Sequence, residues 1–486
     1  MASEYVFISD LHMGGDEQLT TLDFEAELLD FLAELEERGG DVELIINGDA
    51  FGLWEYAEVT GTAKLDRVID DHPRVFEQFR ATGEVIDITL IPGNHDYDLA
   101  CYTSYIDRLA AYNIALEPAV SITREVDVAG GDGDETPRIW IEHGQQHDAN
   151  NRMPDWGNPD ALPVGYFVVQ RIVAAAGRYS GRARGDWLRD IQSVAPMEEI
   201  PRWLLSNYFY REMSPYLRAV VVPLLLFFNI TLLYLFGTVL EVVGILPSAF
   251  FTDNPVVHAL GIGAVVLEFI VAINSVIIAI LLLLAIPLWL FRRDLRRTLD
   301  RFGIMLSGVR VGQGDEPFLR AARDVLEANS DVAVFVYGHT HRASLTRWGD
   351  RLVINTGTWL KKLQHVETWF SRLPGIYYPS FRLNYFRIFP EGDQIVVEYE
   401  EIETDQSLDL TRFQRLVARR PPAAEPIPSR TVIDPNGTLE MPDGTFERDS
   451  DAGTDVDANS GKQFATVDGS DSDRADATDR TSEERD

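Results

Sequence analysis

The sequence predicts an α/β domain interrupted by a pair of apolar helices, and three observations lead there. Over residues 1 to about 145, short β-branched strands alternate with helical stretches. Two uncharged runs follow, 22 residues from Ala219 to Leu240 and 23 from Phe269 to Phe291. Strand-like segments then resume after residue 330 and give way to a polar tail.

Each element has a local reason. "YVFISD", "VELIING", "VIDITLIPG" and "RIWIEHG" are apolar and β-branched and read as strands. "FEAELLDFLAELEERGG" carries apolar residues at helical spacing and closes on glycines. Residues 151–215, rich in Arg, Trp and Tyr, read as a mostly helical insertion or cap. At about 1.5 Å per residue, each uncharged run is long enough for a hydrocarbon core of roughly 30 Å. The expectation is therefore a transmembrane hairpin within residues 216–292. Arg202, Arg211 and Arg218 precede the first run, and Arg292, Arg293, Arg296, Arg297 and Arg301 follow the second. No Lys or Arg occurs between Val242 and Leu267, so both flanks are expected on the cytoplasmic side. Glu241 and Glu268 then fall at the far interface. "DVAVFVYGHTHRA" and "RLVINTGTWL" return to strand-then-loop character within residues 293–417. Residues 418–486 are Pro-rich and then Asp/Ser/Thr/Gly-rich, a composition that predicts a disordered acidic tail.

The charge balance excludes some partners. The chain carries 77 acids against 43 bases, a net charge of −34, with lysine only at Lys64, Lys361, Lys362 and Lys462. Such a surface suits solubility in concentrated salt, as in a salt-loving archaeon, and disfavours duplex nucleic acid. Cys101 is the sole cysteine, which rules out an intrachain disulfide and a cysteine-based zinc site. "MASEYVFISD" enters a strand pattern without a basic or apolar leader, so the amino end is expected to start in the cytoplasm.

Chemistry concentrates at the carboxyl ends of the expected strands. "FISDLH" offers Asp10 and His12, "LIINGD" Asp49, "IPGNHDYD" Asn94 and His95, "IEHG" His143, and "VYGHTH" His339 and His341. Five of the chain's nine histidines lie at such positions. Pleat alternation sends Asp10 and His12 to one side. Carboxylate, imidazole and amide oxygen together suit two divalent cations, which serve in-line displacement at phosphorus. Gly93 and Asn94 both tolerate turn geometry, so the same loop also reads as a bend.

The ordered series DLH, GD, GNHD, HG and GHTH, spanning residues 10 to 341, resembles the calcineurin-like metallophosphoesterase superfamily. The resemblance implies a four-layer α-β-β-α sandwich with metals at the strand ends. It implies one cation on Asp10, His12, Asp49 and His341, and a second on Asp49, Asn94, His143 and His339, with manganese first and iron, zinc or cobalt as alternatives. It further implies attack by a metal-bound hydroxide, with His95 protonating the leaving oxygen. Asp96 either orients the loop or His95, or serves as a structural cap. His147 and Asn151, with Asn94, are candidate substrate contacts, a plain surface role for His147 being the alternative. Protein-phosphatase relatives place an Asp three positions beyond the bridging Asp; here Gly52 stands there. "GDAFGLW" is similar to hydrolases of nucleotide-linked lipid sugars, but those have Arg where this chain has His95.

His143 precedes the apolar pair and His339 follows it, so one shared centre requires an even number of crossings. The expected protein is a multi-pass membrane phosphohydrolase with a cytoplasmic site, acting on a phosphorylated small molecule or lipid-linked phosphate. No obligate protein partner is implied. The other readings are a membrane adaptor without turnover and a nuclease of the same superfamily.

Overall fold

The computed structural model describes residues 2–129, 136–174, 189–194, 199–247, 259–301, 316–370, 372–404, 410–420 and 426–435. All of them belong to one compact unit, Met1–Glu447; a second unit, Arg448–Asp486, lies outside the described residues. Strands in the first part are β1 (Glu4–Ile8), β2 (Val42–Asn47), β3 (Asp87–Ile91), β4 (Ala115–Leu116), β5 (Ser121–Glu125) and β6 (Arg138–Glu142). Those in the second part are β7 (Val332–Tyr337), β8 (Ser344–Trp348), β9 (Arg351–Asn355), β10 (Lys362–Val366), β11 (Ile376–Ser380), β12 (Leu383–Glu391), β13 (Gln394–Ile402) and β14 (Arg430–Ile433).

Two mixed sheets carry the domain. The first has the order β14-β13-β12-β1-β2-β3-β4 and the second β5-β6-β7-β9-β8, with β10 and β11 forming a separate pair. Neighbours β1, β2 and β3 run parallel, as do β6, β7 and β9. Because side chains alternate across a strand, Tyr5 and Phe7 of β1 enter the core between the sheets, while Val6 and Ile8 face the helices. Both faces are covered, which explains why these strands read as continuous apolar runs.

Helices close the two outer faces. α1 (Glu25–Arg38) buries Leu28, Phe31, Leu32 and Leu35, a stripe at helical spacing, against the first sheet. α2 (Ala63–Asp71) and α3 (Pro73–Thr82) continue that layer, the latter starting on a proline at its first position. The helix Glu316–Ala328 lays Phe318, Ala322 and Leu326 on the outer face of the second sheet. The packing order is therefore helix, sheet, sheet, helix.

The apolar segments depart from the sequence expectation in shape. The run 219–240 is not one rod but two helices, Pro215–Leu226 and Phe228–Val242, bent by 43°. Pro223 lies one turn before the bend and supplies no backbone donor. Asn274, buried on the second apolar helix, donates to the Leu224 carbonyl at 2.9 Å and to Thr231 Oγ1 at 3.2 Å. The run 269–291 lies inside the 40-residue helix Ile262–Arg301. Among the described residues, that helix alone is long and apolar enough to cross a membrane unaided; the bent pair counts as a second span only if taken together.

Order also extends beyond residue 418, where composition predicted none. β14 joins the edge of β13, Ile433 is buried between the sheets, and Arg430 pairs with Glu391 and Glu398. The reason is local: "TVI" is a β-branched run that the Pro-rich and acidic surroundings mask. The rest of the expected tail lies outside the described residues. In the insertion, Val164–Val168 and Ile200–Asn207 are helical, and residues 175–188 and 195–198 lie outside the described residues.

Phe386 of β12 is fully buried between the sheets. Phe386→Ala is expected to destabilise the domain by about 3–5 kcal/mol, read as a lowered urea midpoint of intrinsic fluorescence.

Candidate metal centre

The centre lies where both sheets end. Asp10 follows β1, Asp49 follows β2 and Asn94 follows β3, while His143 follows β6 and His339 follows β7. Since β1–β3 are adjacent and parallel, and β6 and β7 likewise, each sheet presents its carboxyl ends side by side. The link between His143 and His339 is direct: Gly338 N donates to the His143 carbonyl at 2.9 Å. Almost two hundred residues of sequence separate the two histidines, and a single strand-to-strand step joins them.

The backbone at these positions is unusual. Asp10, His12, Asp49, His339 and His341 have φ of 54°, 46°, 52°, 66° and 57°, five of the six non-glycine residues in the left-handed region among those described. Each such residue costs on the order of 1–3 kcal/mol and persists only where its surroundings over-determine it. This corrects the pleat argument for Asp10 and His12. Both lie past the end of β1, and left-handed turns, not strand alternation, bring them to one side. Gly93 is corrected too: it has no positive φ, and its role is close approach. A Cβ there would strike the Asp49 carboxylate and lie 2.6 Å from the Asp49 amide nitrogen.

Two sets of donor atoms converge. Asp10, His12 and His341 form one: His12 Nε2 is 3.1 Å from His341 Nε2, which is 3.1 Å from Asp10 Oδ1. Asp49, His143 and His339 form the other, with His143 Nε2 3.2 Å from Asp49 Oδ2 and His339 Nδ1 2.8 Å from Asn94 Oδ1. Asp49 Oδ2 also lies 3.6 Å from His12 Nε2, so this carboxylate touches both sets. His341 and His12 point ring nitrogens at each other, an arrangement that suits a shared cation better than a hydrogen bond. Asp10 Oδ1 and His143 Nε2 are buried without an aligned hydrogen-bond partner. These orphaned atoms, with a donor set of carboxylate, imidazole and amide, fit divalent cations.

The acids and imidazoles of the two sets act strongly on one another's charge. Burial opposes ionisation of Asp49, but His143 and His95 outweigh it and hold its carboxyl below the usual range. Burial likewise opposes charge on His143, yet Asp49 and Asp10 push its pKa up to about 10. Burial drives His341 down to about 4, leaving a neutral imidazole of the kind a metal requires.

Beside the donor sets stands a dyad that sequence reasoning missed. His95 Nδ1 is 2.7 Å from Glu55 Oε1, and the Glu55 side chain is buried. Burial lowers His95, but the Glu55 and Asp49 carboxylates prevail and raise its pKa to about 9. Glu55 lies in "GDAFGLWE", six positions beyond Asp49, and replaces the acid absent at Gly52; an acid flanked by buried Trp54 and Tyr56 was the available signal. The Trp54 ring lies 5.0 Å from His95, and the His12 ring 4.5 Å. His12, Glu55 and His95 also make a third grouping of potential ligands. The Glu55 hydrogen bond takes up Nδ1, which suits a proton-transfer dyad.

Asp96 acts as a clamp between loops. Its carboxylate accepts from Gly93 N at 2.6 Å and from Ala50 N at 2.8 Å, tying the β3 loop to the β2 loop. Burial, then the Asp49 charge, raises its pKa to about 7. His147 Nε2 bonds Glu142 Oε1 at 2.6 Å, and its ring packs near Phe318. Asn151 donates to Asp148 Oδ2 at 2.7 Å, and Asp148 in turn lies 3.0 Å from His339 Nε2. Asp148 is a second missed residue. Burial opposes its charge, but His339 and two asparagines lower its pKa to about 2.

Residues 4–203 match the family model described as calcineurin-like phosphoesterase. The match includes Asp10, His12, Asp49, Asn94, His95 and His143 and stops short of His339 and His341, which the fold brings in from beyond. No curated protein matches the chain. The family-model match, the strand-end geometry and the donor chemistry fall on one site, residues 4–203 being similar to the calcineurin-like phosphoesterase family.

Proposed function

We propose that this protein is a membrane-anchored phosphohydrolase that uses two divalent cations to cleave a phosphoester or pyrophosphate bond. The observation that carries the reading is the Asp49 carboxylate lying between two donor sets, with the His95–Glu55 dyad beside it. Asp10, His12, Asp49 and His341 would hold one cation, and Asp49, Asn94, His143 and His339 the other, manganese being the expected ion. Such a pair of cations supplies a water-derived nucleophile at neutral pH and neutralises charge on the phosphoryl oxygens.

The chain's own residues do the rest. Glu55 fixes His95 through Nδ1, which leaves Nε2 to carry the proton given to the departing oxygen. Trp54, fully buried, packs its ring against His95 and covers one side of it. Asp148 holds Nε2 of His339, so that Nδ1 faces Asn94 and the centre. Asp96 sets the distance between the loops bearing Asp49 and Asn94.

The membrane part of the reading rests on the long apolar helix and the bent pair, taken as two spans. Adjacent parallel β6 and β7 support an even number of crossings, because the insertion leaves and returns at one sheet position. Arginine placement supports a cytoplasmic site. A phosphorylated small molecule or a lipid-linked phosphate is the expected substrate class.

His95→Ala is expected to lower kcat toward a chromogenic phosphoester by about 10²–10⁴-fold while bound metal stays constant, measured by steady-state assay and elemental analysis. An unchanged rate would remove His95 from the mechanism. A proton donor must be protonated, so activity falls as pH rises through the pKa that Glu55 elevates. Glu55→Gln should therefore move the alkaline limb of the pH–rate profile down by about 1–3 pH units. Asp148→Ala is expected to weaken metal binding by about 10–100-fold, followed by metal titration of the chelated protein.

A further inference from the structure

We infer that residues 367–370 and 372–373, with the segment at residues 410–420, form a platform that lies on the surface of an anionic lipid bilayer. This rests on the reading of the apolar helices as membrane segments. The two stretches are far apart in sequence but make one surface. Trp369 N donates to the Val417 carbonyl at 3.0 Å, Arg419 N to the Glu367 carbonyl at 3.0 Å, and Thr368 pairs with Ala418. The Thr411 capping box rigidifies the short helix Arg412–Val417.

Large apolar side chains stand outward on this surface. Trp369 is 65% exposed, Phe370 48% and Leu416 76%. Such a cluster is costly to leave in water, and aromatic rings of this kind favour the boundary between headgroups and acyl chains. Charge singles out the same place. In a chain of net charge −34, residues 410–420 hold four arginines and no acid. Arg412, Arg415, Arg419 and Arg420 are all exposed, and the Arg419 guanidinium lies 5.5 Å over the Trp369 ring. Aromatic rings flanked by guanidinium groups match a layer of phosphate headgroups above hydrocarbon.

The platform is also continuous with the apolar helices. Leu373, Leu410 and Val417 share a core cluster with Tyr210, against which Val221, Val222, Leu225 and Leu226 of the first apolar helix pack. Arg372 bonds Asn229 Oδ1 at 2.9 Å and covers the Phe228 ring, next to the bend. A bilayer that holds those helices therefore meets the catalytic domain at this surface. The contact keeps the domain from pivoting about its anchor.

The test uses the full chain in vesicles of phosphatidylglycerol and phosphatidylcholine, with Cys101→Ser removing the only native thiol. A fluorophore is attached in turn through Leu416→Cys on the platform, Leu283→Cys on the long apolar helix, and Glu37→Cys on α1. Lipids carrying a nitroxide near the headgroup should quench the label at 416 strongly and the one at 37 hardly at all. Lipids with a deep nitroxide should quench the label at 283. Replacing all four arginines by glutamine should cut quenching at 416 at least about fivefold, the effect expected of even one arginine at an anionic surface. Metal-dependent hydrolysis of a soluble phosphoester should stay unchanged in that variant. Quenching at 283 but not at 416 would overturn the platform and leave the membrane reading standing. No quenching at either position would overturn both. Protection of the label at 416 in detergent that vanishes on dilution would replace the bilayer by a second copy of the chain.

Discussion

Two β-sheets have to deliver side chains to the same few ångströms, and the Asp49 carboxylate is where they meet. It lies 3.2 Å from His143 of the second sheet and 3.6 Å from His12 of the first. So close an approach leaves no room for a side chain beside it. At Gly48, with φ of 81°, a Cβ would run into the His143 ring, and at Gly93 it would run into Asp49 itself. The packing of the sheets and the position of this one acid are therefore a single constraint. A shift of either sheet would separate the donor sets that share it.

The left-handed turns at the strand ends are the second consequence of the same crowding. Extended backbone would carry Asp10, Asp49 and His339 past the centre, so the chain doubles back at each. The strain is held by hydrogen bonds between the loops. Asp10 N donates to the Gly48 carbonyl, His12 N to the Asp49 carbonyl and Thr358 Oγ1 to the Asp10 carbonyl. Ser9 Oγ and His339 N both donate to Asp10 Oδ2. Strain of this sort preorganises a site, because the donors are already in place before any cation or substrate arrives.

Strand positions were legible because β1, β2, β3, β7 and β9 bury residues on both faces and read as largely apolar runs, and β6 keeps an apolar centre. The principal donors were legible as well, since each follows such a run within a few residues. Glu55, Asp148 and Asn274 were not. Glu55 and Asp148 act on histidines 40 and 191 positions away, and Asn274 bonds a carbonyl 50 positions away. Nothing in a local window marks a residue whose partner is that distant. β14 escaped for a different reason: four residues of strand in a polar, proline-rich stretch contribute too little pattern to stand out.

By itself, the sequence determined the element types, the apolar segments and the chemical kinds of group at the strand ends, because these depend on periodicity and residue type within short windows. Only the tertiary structure decided which acid supports His95, which one orients His339, why residue 93 must be glycine, and that the first apolar run bends at Phe227. Those outcomes depend on distances between segments far apart along the chain. Such distances are set by how two sheets and their helices pack, and no local pattern encodes them.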